Sequence, residues 1–255
     1  MKGIGERLIA GLHSPSAFMG GSAELRLTVG ALKKHTFSRS MTRALIFDLD
    51  NCLAAANEVG EELLEPAFDA IRQANHGTVP ETVLERAFAE MWRHPMDWVA
   101  AEYGFSKAML EAGWRVSVTM EVTRPMYGYD DLATLAELPA QRFLVTSGFR
   151  RLQESKIKAL KLAPLFTALY VDAIDEPNRL GKQRLFEQIL KEHKLTPTEV
   201  LVVGDNADSE IEAGNRLGIR TVQTLRPGVP RASNATLHIH SLAELKKLLS
   251  DSANQ

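Results

Sequence analysis

The chain predicts an α/β fold, a doubly wound parallel sheet with a helical module inserted near its start. Three observations carry this. Short apolar runs rich in β-branched residues recur along the sequence, as parallel strands buried on both faces require. Helical apolar stripes alternate with them from residue 149 onward, the strand–helix order of a doubly wound sheet. Between residues 57 and 127 the alternation stops, and helical patterns follow one another directly.

The first expected strand is 44–47, and the others are 142–148, 168–172, 199–205 and 218–223. Helices are expected at 149–161, at 181–193 with the stripe Leu185, Ile189 and Leu190, and at 206–217 with Ile211 and Leu217 on one side. A last one falls near 241–250, with Leu242, Leu245, Leu248 and Leu249. Within the insertion, helices are expected at 61–75, 80–92 and 96–112. Phe68 with Ile71, and Leu84, Ala87, Phe88 and Met91, stand at helical spacings there. These stripes need a partner surface, so 57–127 is expected as a small helical module inserted in the core, with Pro125 and Gly128 marking the return of the chain. A Rossmann-like core is then expected from 41–56 together with 128–255.

Residues 1–40 differ in composition. They carry Lys2, Arg7, Arg26, Lys33, Lys34 and Arg39 against Glu6 and Glu24. They read as a disordered N-terminal extension, or as translated sequence ahead of a true start at Met41, with an organelle transit peptide as the less favoured alternative. The apolar piece 8–12 is too short for a good secretory segment, and no stretch approaches the ~18 apolar residues of a membrane span. A cytoplasmic protein is the expectation. The net charge of −2 gives no global field for nucleic acid or an anionic membrane. The single cysteine, Cys52, excludes an internal disulfide and a cysteine-rich zinc site. His238-x-His240 reads as a chance alternation beside a final short strand.

Chemistry gathers where the expected strands end. The first ends in Asp48-Leu49-Asp50. Asp is disfavoured inside strands, and on an extended backbone positions i and i+2 point the same way. Two converging carboxylates repel unless a cation or a shared proton relieves them. The second strand ends in Thr146-Ser147-Gly148, and the fourth in Gly204-Asp205, followed by Asp208 and Glu210. Gly181-Lys182 opens a helix between the third and fourth strands. Each piece alone has a plainer explanation: a solvated acid, a turn, a helix cap. Together they place acids, a hydroxyl and a lysine at one sheet edge, where ligands bind in open parallel sheets. Such a set suits a phosphate monoester over a hard cation such as Mg²⁺. One carboxylate can attack phosphorus, and another can protonate the leaving oxygen and then activate water.

On these residues the chain resembles the haloacid dehalogenase superfamily, and within it the Mg²⁺-dependent phosphatases, over about residues 43–240. The stretch 47–53 resembles the first motif of that family, Thr146 the second, Lys182 the third, and 203–214 the fourth. Residues 57–127 resemble its first type of helical cap. The resemblance implies that Asp48 is the nucleophile that forms an aspartyl-phosphate, and Asp50 the general acid and then base. It implies that Thr146, with Ser147, and Lys182 bind the phosphoryl group. Mg²⁺ would be held by Asp48, Asp50 through its backbone carbonyl, Asp205 and Glu210. Glu210 stands where the family usually has Asp, so it would act directly or through water, and Asp208 competes for that place. Cys52 stands where Thr or Val is usual and reads as packing. The implied partner is a small-molecule phosphate ester, with no nucleic acid and no membrane, and the oligomeric state is left open. A phosphotransferase or mutase of the same superfamily, or a phospho-acceptor module without turnover, are the alternatives. Trp92, Arg93, His94, Trp98, Tyr103, Arg115 and Arg124 are the residues of the insertion from which substrate contacts would come.

Overall fold

The computed structural model describes residues 41–253, so the expectation for residues 1–40 falls outside the described residues. Six strands form one parallel sheet: β1 (Ala44–Phe47), β2 (Gln141–Gly148), β3 (Ala168–Ala173), β4 (Val200–Gly204), β5 (Arg220–Thr224) and β6 (Leu237–Ile239). Their order is β3-β2-β1-β4-β5-β6. All five expected runs are strands, with β6 at the edge. Strand order reverses at β1, which pairs with β2 on one side and β4 on the other, Phe47 lying beside both Leu144 and Val203. This is the switch point at which doubly wound sheets hold ligands.

The period of two along β1 sorts its side chains into two cores. Leu45 and Phe47 join Leu144, Leu201 and Val203 on one face. That face is covered by Ile157 of α5 (Arg150–Ala159) and by Leu242, Leu245 and Leu249 of α8 (Leu242–Ala253). Ala44 and Ile46 join Phe143, Val145, Val200 and Val202 on the other, under Leu185, Phe186 and Ile189 of α6 (Lys182–Glu192). Both faces are covered, which is why the strands read as continuous apolar runs.

Four helices lie between β1 and β2: α1 (Glu65–Asn75), α2 (Glu81–Glu90), α3 (Met96–Glu102) and α4 (Lys107–Ser117). The single helix expected at 96–112 is therefore two. Gly104 takes φ +69°, which ends α3, and the Ser106 hydroxyl caps α4 by accepting from the Met109 N–H at 3.3 Å. The helix expected at 206–217 also differs. It opens with a wide π-type turn over Ala207–Ile211 before α7 (Glu212–Arg216). The insert packs around Phe68, Ile71, Leu84, Phe88 and Met109. Phe149, Leu152 and Ile174 complete that core from the positions just after β2 and β3, so the insert is seated at the carboxyl end of the sheet.

Phe143 is fully buried under α6 and Tyr127 is 80% exposed. Phe143→Ala is expected to lower the unfolding free energy by about 3–5 kcal/mol. Tyr127→Ala should change it by less than about 0.5 kcal/mol. Urea denaturation of both variants checks this, and equal effects would contradict the core described.

Candidate active site

Asp48 follows β1, Asp205 follows β4, Lys182 opens α6 and Glu210 lies in the π-type turn after β4. All four are buried. The Lys182 ammonium donates to Asp48 Oδ1 and to Glu210 Oε2, each at 2.8 Å. The other Glu210 oxygen accepts from the Asn206 N–H at 2.6 Å, which folds the turn back over the strand end. Gly204 makes room for this, since a methyl group there would overlap the Glu210 side chain. One oxygen from each of Asp48, Asp205 and Glu210 lies within 4.8 Å of the others. Asp208, the competitor from sequence, is exposed, and its N–H is bonded by Asn206 Oδ1 at 3.0 Å.

Three buried carboxylates thus face one ammonium. Burial pushes Asp48 up to about 7; the Glu210 charge adds to this, and Lys182 pulls against it. Asp205 is held well above the ordinary carboxylate range, by burial first and then by Glu210 and Asp48. Burial also opposes the charge of Lys182, but the two carboxylates outweigh it and hold the lysine above its usual value. The set has more negative charge than its lysine can balance. Oxygen donors in excess suit a hard divalent cation, so these residues fit a magnesium ion.

Asp50 stands apart from this cluster. Its two oxygens accept from the buried Lys156 ammonium at 2.7 and 2.9 Å, and Oδ2 also accepts from Gln153 Nε2 at 3.1 Å. The same amide nitrogen reaches the Ser147 carbonyl at 3.0 Å, passing where a side chain at Gly148 would stand. Thr146 is buried on β2 and lines the cavity. Ser147 also lines it, with its hydroxyl donating to Asp172 Oδ2 at 2.9 Å. Asp172 further accepts from the Gly181 N–H and from Arg179, which fixes the turn leading to Lys182.

A cavity of about 460 Å³ connects these groups to the insert. Of the insert residues singled out from sequence, Trp92, Arg93, His94 and Trp98 line it. Tyr103, Arg115 and Arg124 do not, and Arg124 pairs with Glu62. Asn51 donates to the Trp92 carbonyl at 3.2 Å and Asn206 to the Arg93 carbonyl at 3.3 Å, tying the insert to the turns that carry the acids. Cys52 is buried, and burial holds its thiol well above its usual range, as its packing role requires. His238 bonds the Ala232 carbonyl at 2.8 Å.

A family model for haloacid dehalogenase-like hydrolases matches residues 42–218. The chain belongs to that family. Solved structures of this haloacid dehalogenase-like fold superpose along its length. The HAD-hydrolase YfnB of Bacillus subtilis, bound to magnesium, is 19% identical with a TM-score of 0.56, over 82% of this chain and 99% of that one. A HAD phosphatase from Thermococcus onnurineus is 21% identical with a TM-score of 0.56, over 82% and 98%. The L-2-haloacid dehalogenase of Xanthobacter autotrophicus, with chloropropionic acid covalently bound, is 17% identical with a TM-score of 0.51, over 82% and 99%. At these identities the likeness is one of fold. No curated protein sequence matches the chain.

For this haloacid dehalogenase-like hydrolase, three side chains at the site went unmarked in the sequence: Gln153, Lys156 and Asp172. Lys156 did carry a signal. Leu152, Lys156 and Leu160 stand at i, i+4 and i+8, so the lysine occupies the apolar stripe of α5, where a solvated residue would not be placed.

Folded Asp48 binds its proton more tightly than an ordinary Asp, about 7 against 3.8. Between those values folding takes up a proton, so the metal-free protein loses stability as pH rises through that window. A divalent cation that occupies the ionised set reverses the loss. Magnesium is therefore expected to raise the thermal midpoint more at about pH 8 than at about pH 5.5. Scanning calorimetry checks this, and equal shifts at both values would contradict the charge balance described.

Proposed function

We propose that this hydrolase cleaves small-molecule phosphate monoesters, through an aspartyl-phosphate on Asp48 and with a magnesium ion. The observation that carries the reading is the separation of two acids on one cavity. Asp48 belongs to the cluster suited to a cation, while Asp50 stands outside it on Lys156. Displacing a halide needs a nucleophile and water but no proton for the leaving group. An alkoxide needs an acid beside it, and Asp50 supplies that acid. The excess of buried oxygen donors around Lys182 likewise favours a phosphoryl group and its cation over an uncharged carbon centre.

In this reading Asp48 attacks phosphorus as its bond to the ester oxygen breaks, and Asp50 gives that oxygen its proton. Water then attacks the phosphorus of the aspartyl-phosphate, its proton passes to Asp50, and the Asp48–phosphorus bond breaks to release phosphate. Between the two steps Asp50 is a carboxylate, which Lys156 stabilises and Gln153 orients. Lys182 and Thr146 bind the phosphoryl oxygens. Ser147, with its hydroxyl engaged by Asp172, braces the strand end. Asp48, Asp205, Glu210 and the Asp50 carbonyl would hold magnesium, which when bound supplies positive charge against the repulsion between phosphate and carboxylate. Residues 57–127 act as the cap that covers the reaction.

Asp48→Asn is expected to abolish magnesium-dependent phosphate release and leave the protein folded, read by phosphate assay and circular dichroism. Retained turnover would refute the nucleophile. Asp50→Asn should lose about 10²–10⁴-fold on an alkyl phosphate. It should lose much less on p-nitrophenyl phosphate, whose leaving group needs little protonation. Equal losses on both esters would remove Asp50 from the acid role.

A further inference from the structure

The cavity extends well beyond the space a phosphoryl group needs, and its far wall has a definite chemistry. Phe68, Met96, Met120, Phe149, Leu152 and Ile174 belong to the core of the insert, yet each keeps 6–8% of its surface exposed, and all six line the cavity. Trp98 lines it as well. It is 44% exposed and stacks on His94 with ring centroids 3.9 Å apart. An indole left this open in a cavity wall is surface that a flat apolar group would cover.

Three of the cations on the wall are already matched by carboxylates. Lys182 is held by Asp48 and Glu210, and Lys156 by Asp50. Arg179 meets Asp172 at 3.0 Å and Asp97 at 2.7 Å. Arg93 donates to the Gly228 carbonyl at 3.0 Å, and its charge bears on Asp205, at the phosphate end. Burial pulls His94 below its usual value, against the charges of Glu90 and Asp208. Every lysine and arginine on this wall thus has a carboxylate or carbonyl partner among the described residues.

Resting on the phosphatase reading, we propose that the substrate is a phosphate monoester of an uncharged alcohol bearing an aromatic ring. The ring lies along Trp98 and the apolar wall. Short charged alcohols such as glycolate would leave that wall wet and their own charge unmatched.

Benzyl phosphate, glycerol 3-phosphate, 2-phosphoglycolate and phosphocholine all have alkyl leaving groups and differ in the group carried beyond the ester carbon. With magnesium, benzyl phosphate is expected to exceed each of the others in kcat/KM by about tenfold or more. Trp98→Ala, at an exposed position, should lose at least about fivefold more on benzyl phosphate than on glycerol 3-phosphate, chiefly through KM. Equal kcat/KM across the four esters, or a preference for the carboxylate or the quaternary ammonium, would overturn the proposal. Calorimetry with benzylphosphonate and phosphonoacetate reads the same preference as affinity. A chain that bound benzylphosphonate more tightly but hydrolysed no ester would sustain this assignment while refuting the phosphatase reading.

Discussion

Lys182 sets one buried ammonium between the carboxylates of Asp48 and Glu210, 2.8 Å from each. These groups come from the end of β1, the start of α6 and the turn after β4, and each has its own local support. Asp172 takes the Gly181 N–H at 2.8 Å, which fixes where α6 begins and so where the lysine stands. Gly204, by lacking a side chain, admits Glu210. Buried like charges cannot be held together by packing alone, because each carboxylate left uncompensated would cost several kcal/mol. The lysine makes the arrangement possible without completing it. The negative charge that remains suits the pocket to a divalent cation.

The cavity is therefore polar at one end and apolar at the other, and the division follows the chain. The sheet supplies the charged end, because the carboxyl ends of parallel strands converge there. The insert supplies the apolar end, because its helices must bury their stripes and they do so against Phe149, Leu152 and Ile174. Helix α5 serves both ends. Leu152 faces the insert core, while Gln153 and Lys156 reach Asp50. Two ion pairs join the insert to the rest of the fold: Arg151 of this helix with Glu121, and Arg179 with Asp97.

The strands were legible because a parallel sheet leaves an apolar run wherever it goes, and the acids because they break such runs at their ends. Asp48, Lys182 and the pair Asp205 and Glu210, from three separate stretches of the sequence, meet in one cluster. The division between Asp208 and Glu210 was not legible. It depends on the wide turn at Ala207–Ile211, which directs one acid inward and leaves the other in solvent. The split of the third insert helix was also hidden, since the apolar spacing continues across Gly104 and only the backbone there, with the Ser106 cap, shows the break. Asp172 read as the tail of a strand. Its role comes from partners on β2 and at the start of α6, and no local pattern encodes them.

Asn51 and Asn206 hold the carbonyls of Trp92 and Arg93, two consecutive residues of the insert. Each asparagine is the next residue after an acid, Asp50 in one case and Asp205 in the other. Lifting this part of the insert for exchange of substrate and product would draw directly on both turns. The joint between insert and sheet is thus made at the residues beside Asp50 and Asp205, so a displacement of one would be felt at the other.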